Sequence, residues 1–219
     1  MSRHEVSLSL ANPFAVAAAI LVVATSAQAE LITSFNNLDF DAGVANIGGF
    51  DNPGADVPGW MDGGPIVDAG VEGPGAWWAP HEDHAAFMSS GDSAYTMSTY
   101  TIQTGDVYEI GFYAKHWEWT GTGEWTATLF YDNPANVIGA YTQGGLPDNG
   151  SWNQFSDPVG IAATPASVGG TLGILMTSTG TGIAQVDEIT VNLVPEPATT
   201  GLVSLCGAAL LLIRRRAVC

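Results

Sequence analysis

The sequence predicts an all-β domain of the sandwich type, flanked by an apolar N-terminal helix and an apolar C-terminal helix. Three observations predict it. Gly, Pro, Asn and Asp punctuate residues 30–193 at short intervals, and the segments between them are short and rich in Thr, Tyr, Trp, Val and Ile, residues that suit a pleated, half-buried surface. No amphipathic helical repeat of useful length occurs there. In the stretch after Gly105, Tyr108, Ile110, Phe112 and Ala114 alternate with Glu109, Gly111, Tyr113 and Lys115. A period of two with one apolar face predicts a strand packed on a core, with the other face wetter, as in an antiparallel sandwich.

The elements follow in order. Arg3 and His4 precede an unbroken apolar run from Phe14 to Ala24, and Ala27-Gln28-Ala29 then supplies small residues at both positions of an A-x-A cleavage site. That is the grammar of a signal peptide over residues 1–29, read by the Sec translocon and cut by signal peptidase to leave Glu30 as the first residue. The expected strands are Leu31 to Phe35, Leu38 to Asp41, Ile66 to Ala69, Ala85 to Met88, Tyr95 to Gln103, Val107 to Trp117, Glu124 to Tyr131, Val137 to Thr142, Trp152 to Pro158, Thr171 to Thr177 and Ile183 to Leu193. Thr104-Gly105-Asp106 joins two of the longest, and the Gly-, Pro- and Asp-rich region from Ala42 to Gly75 reads as long loops with little strand.

The domain carries twenty Asp and Glu against one basic residue, Lys115, a formal charge of −19. Nucleic-acid binding is excluded, since neutralising phosphates takes clustered Lys and Arg. The acidity suits solubility, divalent cations or neutral polar partners. Both cysteines, Cys206 and Cys219, lie in the tail, so no disulfide staples the domain, and its stability must come from a hydrophobic core, from bound metal, or from both.

Residues 194–219 form a separate tail. Pro195 and Pro197 cannot continue a strand ladder or a helix interior. Sixteen uncharged residues from Ala198 to Ile213 approach the length of a membrane span, and Arg214, Arg215 and Arg216 hold the end on the cytoplasmic side. Val194-Pro195-Glu196-Pro197, the apolar helix and the arginine cluster together resemble the PEP-CTERM sorting domain of exported bacterial proteins. The resemblance implies an exosortase as processing partner and an association with exopolysaccharide, biofilm or extracellular matrix. The protein is then expected to be anchored transiently in the inner membrane, and at the cell surface or extracellular once the tail is processed.

The domain carries a second resemblance. Asn37-Leu38-Asp39-Phe40-Asp41, Val57-Pro58-Gly59-Trp60, the paired stretch Tyr95 to Ala114, Trp152 and Val186-Asp187-Glu188-Ile189-Thr190-Val191 fall in the order seen in galactose-binding-like jelly rolls, the fold of many carbohydrate-binding modules. That resemblance implies a structural Ca²⁺ held by oxygens of the opening and closing strands, with Asp41 and Asp187 as carboxylate ligands and backbone carbonyls, with Asp39, completing the shell.

Little in the sequence suggests catalysis. There is no Gly-x-Ser-x-Gly elbow. His81-Glu82-Asp83-His84 lacks the zinc-protease spacing and an obvious third ligand, and reads as a solvated loop. Glu118 and Glu124 could pair as glycosidase carboxylates, but so could others among so many acids. Tryptophans offer more: Trp77 and Trp78 are adjacent, and Trp117, Trp119 and Trp125 flank a Thr-Gly-Thr-Gly connection. Aromatic faces stack on the apolar faces of sugar rings, and neighbours in a strand point to opposite sides, so Trp77 and Trp78 are the candidate ligand contacts, while Trp117, Trp119 and Trp125 are expected in the core. The expectation is a non-catalytic exported module that contacts polysaccharide, set against a purely structural surface protein and a glycan-active enzyme.

Overall fold

A computed structural model describes residues 29–42, 57–64, 68–73, 81, 83–116, 122–146 and 151–194. Among them are twelve strands and no helix: β1 (Glu30–Leu31), β2 (Trp60–Asp62), β3 (Ala69–Glu72), β4 (Ala85–Met88), β5 (Ser93–Thr101), β6 (Val107–His116), β7 (Glu124–Tyr131), β8 (Asn133–Gly144), β9 (Asn153–Ser156), β10 (Ile161–Ala162), β11 (Thr171–Ser178) and β12 (Ala184–Val194). No helix of the described residues is long and apolar enough to cross a membrane. Both expected terminal helices, with Ala27, Pro195, Glu196, Pro197 and Arg214 to Arg216, lie outside the described residues, and Ala29 is the first residue inside them.

The strands form two antiparallel sheets. The seven-stranded sheet runs β10-β6-β12-β4-β3, with β9 also on β6 and β1 also on β12; the five-stranded sheet runs β2-β5-β11-β7-β8. Their inner faces bury one core. Tyr108, Ile110, Phe112 and Ala114 of β6 are in it, as the alternation predicted, facing Trp125, Ala127 and Leu129 of β7 and Leu172, Ile174 and Met176 of β11. Each of these large side chains contributes ~1.5–3 kcal/mol through removal from water. This apolar filling is what a cysteine-free domain needs.

The opening segment departs from expectation. Leu38 to Asp41 is a turn, not a strand, with Asn37 and Phe40 at φ 60° and 59°. Its polar groups are spent on distant chain: Leu38 O accepts from Ile189 N, Asn37 O accepts from Trp60 Nε1 at 2.8 Å, and Asn37 Nδ2 donates to Pro58 O at 3.1 Å. Phe40 stacks on Trp60 at 5.1 Å. The turn closed by Trp60 N on Val57 O needs Gly59, whose φ is +85° and whose added Cβ would meet Asn36 at 2.5 Å. Trp60 then starts β2, a strand unexpected in this Gly-rich region and present because β5 offers it a partner edge at Ala94, Tyr95 and Thr96. β10, likewise unexpected, pairs with the start of β6.

The Thr104-Gly105-Asp106 connection forms as predicted, with Gly105 at φ 90°. Asp106 anchors it: its Oδ2 accepts from Gln103 N at 2.7 Å and from the hydroxyls of Tyr100 and Tyr108, both at 2.9 Å. β12 carries a bulge between Asp187 and Thr190, with Glu188 at φ 45°. There Asp187 Oδ1 accepts from Glu188 N at 2.7 Å, and Ile189 is freed to reach the opening turn.

Candidate functional site

The outer face of the seven-stranded sheet is where chemistry collects. Strand parity builds it. Ala86 and Met88 of β4, Ala184 and Val186 of β12, Ala69 and Val71 of β3 and the apolar set of β6 all enter the core, so Phe87, Gln185, Asp187, Glu72, Tyr113 and Lys115 face outward. Across the sheet Lys115 pairs with Gln185 and Gln185 with Phe87, while Tyr113 pairs with Asp187 and Glu72 with Ala85. The sequence marked this face as the wetter one. It is instead buried at this end: Glu72 is 0%, Gln185 1%, Asp187 1% and Lys115 4% exposed.

Aromatic groups gather beside these polar ones. The His81 ring stacks on Tyr113 at 3.9 Å and meets Trp152 edge-on at 5.7 Å. The Lys115 ammonium sits 4.8 Å from the centre of the Trp152 ring, a cation–π contact that compensates part of its desolvation. His81 Nδ1 lies 3.5 Å from Glu188 Oε1, so the bulge of β12 also faces this group. Tyr113, His81 and Trp152 thus make an aromatic wall beside a polar floor of Lys115, Gln185, Asp187 and Glu72.

Glu72 is the unusual member. Its Oε2 accepts from Gln185 Nε2 at 2.9 Å, a diagonal reach across β4, since Glu72 is registered with Ala85 and Gln185 with Phe87. Burial pushes its carboxyl up to about 8, an effect that the Lys115 charge and the Gln185 hydrogen bond only partly oppose and that Asp68 reinforces. At neutral pH it keeps its proton. Glu72 Oε1 and Gln185 Oε1 are both buried and accept no hydrogen bond. Asp68 is itself raised, by burial and by Asp92, whose Oδ2 accepts the Asp68 N–H at 2.8 Å.

The candidates from sequence are distributed differently. Trp77 and Trp78 lie outside the described residues, as do Trp117, Trp119, Glu82 and Glu118. Trp125 is core as expected, fully buried with its Nε1 donating to Gln185 O at 3.1 Å. His81 and His84 do not make a solvated loop: His84 is 8% exposed, with Nδ1 3.5 Å from Asp41 Oδ1. Asp41 lines a hollow of about 470 Å³ with Asn37, Asp39 and Glu188, so oxygens of the opening turn and of the closing strand do share one place. Asp187 is not among the residues lining it. Among the described residues no three His, Cys, Asp or Glu side chains converge as a ready metal set, so carbonyl oxygens would have to complete a calcium shell there. Glu72 and Gln185 went unnoticed in the sequence, although Gln185 shares the parity of Asp187 and Lys115 is the domain's only cation.

No family model and no curated protein matches this sequence. Solved structures do. A Stig cyclase, Fisc from Fischerella sp. TAU, in complex with (3Z)-3-(1-methyl-2-pyrrolidinylidene)-3H-indole, is similar at a TM-score of 0.57 and 18% identity over 77% of this chain and 99% of that one. A cyclase from the same organism in complex with 4-(1H-indol-3-yl)butan-2-one matches at 0.54 and 16% identity over 75% and 96%. The CBM22-1 xylan-binding domain of Paenibacillus barcinonensis Xyn10C matches at 0.44 and 16% identity over 62% and 86%. The domain is a jelly-roll β-sandwich. At such identities the likeness speaks for the fold alone, a fold that hosts binding modules and enzymes alike.

Proposed function

We propose that this chain is an exported, non-catalytic surface or matrix protein, sorted by an exosortase, whose jelly roll holds polysaccharide on the outer face of the seven-stranded sheet. One observation carries the binding half: the half-buried rings of Tyr113, His81 and Trp152 stand together on a single sheet face, with the partly exposed Glu188 carboxylate 3.5 Å from His81 Nδ1. A pyranose has apolar C–H faces and a rim of hydroxyls, and a ring wall next to a few fixed polar groups answers both. The sorting half rests on the A-x-A site at Ala27 and Ala29, the Pro195-Glu196-Pro197 motif and the Arg214 to Arg216 cluster. Structural calcium belongs to the same proposal, held at the hollow lined by Asp39, Asp41 and Glu188.

Pull-down with the host's exopolysaccharide, together with a glycan array, tests the binding. Tyr113→Ala and Trp152→Ala are expected to weaken it about tenfold or more while the thermal midpoint holds within a few degrees. A wild-type chain that retains no glycan in either assay is a structural surface protein, and the proposal fails. For the sorting, mass spectrometry of the extracellular form is expected to find a chain that begins at Glu30 and lacks Arg214 to Arg216; an intact C-terminus there overturns it.

A further inference from the structure

The twelve residues of β8, Asn133–Gly144, make the longest strand among the described residues and one edge of the five-stranded sheet. One side of β8 bonds to β7, in a register that runs unbroken over residues 139–144, and no described strand pairs with its other side. Alternate N–H and C=O groups of an edge strand point away from the sheet, so this side offers a row of donors and acceptors to a further strand. The strand is also open to solvent: none of its residues is buried, Val137 is 55% exposed, and Ala140, Thr142 and Gly144 are exposed as well.

Edges of this kind are ordinarily guarded by shortness, charge, proline or a bulge. The strands at the other ends of the two sheets follow that rule, β2, β3 and β10 having three, four and two residues. The guards of β8 all lie near its beginning, where Pro134 and the register shifts opposite Leu129, Phe130 and Tyr131 fall. From Gly139 onwards there are none. No Asp, Glu, Lys, Arg or His occurs in residues 133–146, within a domain whose formal charge is −19. The β7 residues beside it on the outer face, Thr126, Thr128 and Phe130, are uncharged too. Glu124, opposite Gly144, is engaged by the Thr179 hydroxyl, which donates to its Oε1 at 2.6 Å.

We propose that β8 is a self-association edge, where two copies of this chain pair antiparallel along residues 137–144 about a two-fold axis and merge their five-stranded sheets. Charge selects this occupant. Domains so acidic repel one another from most directions, and β8 is a long edge along which no acids meet face to face. A basic partner would find its attraction on the acidic surfaces elsewhere and not on this strand. About a two-fold axis an identical strand brings its acceptors to the donors of the other, and Gly139, Ala140 and Gly144 keep the approach free of bulk. With β2 too short to serve as a second edge, pairing closes at two copies and does not grow into a filament. The contact uses no group on the outer face of the seven-stranded sheet, so it stands independently of the polysaccharide reading.

The test uses the full chain in a mild non-ionic detergent and sedimentation velocity over a range of concentrations. The wild type is expected to run as a dimer that dissociates on dilution. Ala140→Glu puts a like charge into the paired segment of each copy on an exposed side chain, and is expected to weaken the dimer about tenfold or more with an unchanged thermal midpoint; mixing it with Ala140→Lys is expected to restore pairing. Should these variants fail to fold, hydrogen exchange of the wild type carries the test, with the amides of residues 137–144 better protected in the concentrated sample than in the dilute one. A chain that is monomeric at every concentration overturns the proposal. So does a dimer that Ala140→Glu leaves intact, or one whose 137–144 amides exchange alike at both concentrations, because the contact then lies elsewhere, as in the apolar tail. A ladder of larger species overturns the closed two-fold pairing.

Discussion

Glu72→Gln should make the folded chain more stable at alkaline pH. The reason is the direction of the shift. In the unfolded chain Glu72 loses its proton near its ordinary 4.5, whereas burial holds it protonated in the fold up to about 8. Between those values the folded state binds the extra proton, so stability is full below pH 4.5 and is lost as pH rises towards 8. The slope is about 1.4 kcal/mol per pH unit, which over this window sums to roughly 3–5 kcal/mol. Against a typical total of ~5–15 kcal/mol, the loss would dominate the alkaline limb of the stability curve. Glutamine has the same shape, keeps the bond from Gln185 Nε2 and does not titrate. Urea unfolding followed by tryptophan fluorescence, run on both chains from pH 5 to 9, gives a difference curve in which the histidines and the other carboxylates cancel. The variant is expected to gain on the wild type steadily and to level off above pH 8. A flat difference curve, or a wild type more stable than the variant throughout, would show that Glu72 is ionised and paired in the fold, and the reasoning would fail.

Other expectations follow from the same packing. Asp106→Ala strands the hydroxyls of Tyr100 and Tyr108, which burial and Asp106 hold above the usual tyrosine range, Tyr100 at about 12; the cost should be roughly 2–4 kcal/mol in urea unfolding, with Asp106→Asn recovering part of it. Trp125→Phe keeps most of the apolar volume but leaves Gln185 O without its indole donor, and should cost roughly 1–3 kcal/mol in the same assay. Gly173→Ala would press a methyl group into the Phe130 ring and to 2.8 Å from the Met97 sulfur, an overpacking expected to lower stability by about 1–3 kcal/mol. Millimolar Ca²⁺ should raise the thermal midpoint over that in EGTA if the hollow beside Asp41 holds the ion, and Asp41→Asn should reduce the difference; an unchanged midpoint removes calcium from the account.

How much of this was legible beforehand depended on how local each cause is. The core face of β6 was readable from alternation alone, because burying one face of a strand against a second sheet imposes a period of two on the residues themselves. Gly105 and Asp106 were readable for a similar reason, since a tight turn makes its demands within four residues. The opening segment was not. Leu38 to Asp41 has strand-like composition, yet the Leu38 carbonyl is claimed by Ile189 N, and Asn37 just before it is held by Trp60 and Pro58. Distant partners overrode propensity there. β2 is the converse case, three residues in a Gly-rich stretch made into a strand by the free edge of β5.

The site was hidden by the same logic carried one step further. A polar residue on the outward parity of a strand ordinarily means solvent, and on that rule the sequence puts Lys115 on the wetter face, while it leaves Glu72 in a stretch that reads as loop. The rule assumes that the outer face of a sheet is wet. Here it is not, and once a face is both outward and buried, each polar group on it must be matched or costs free energy. Lys115 is matched by Trp152. Glu72 meets the cost by keeping its proton, and its remaining oxygen, like that of Gln185, has no donor. A protein selected for stability alone could have filled these positions with Val or Leu at no loss to the sheet. Costly polar residues on a buried outward face therefore mark what strand parity alone cannot report, which outward positions the rest of the chain covers.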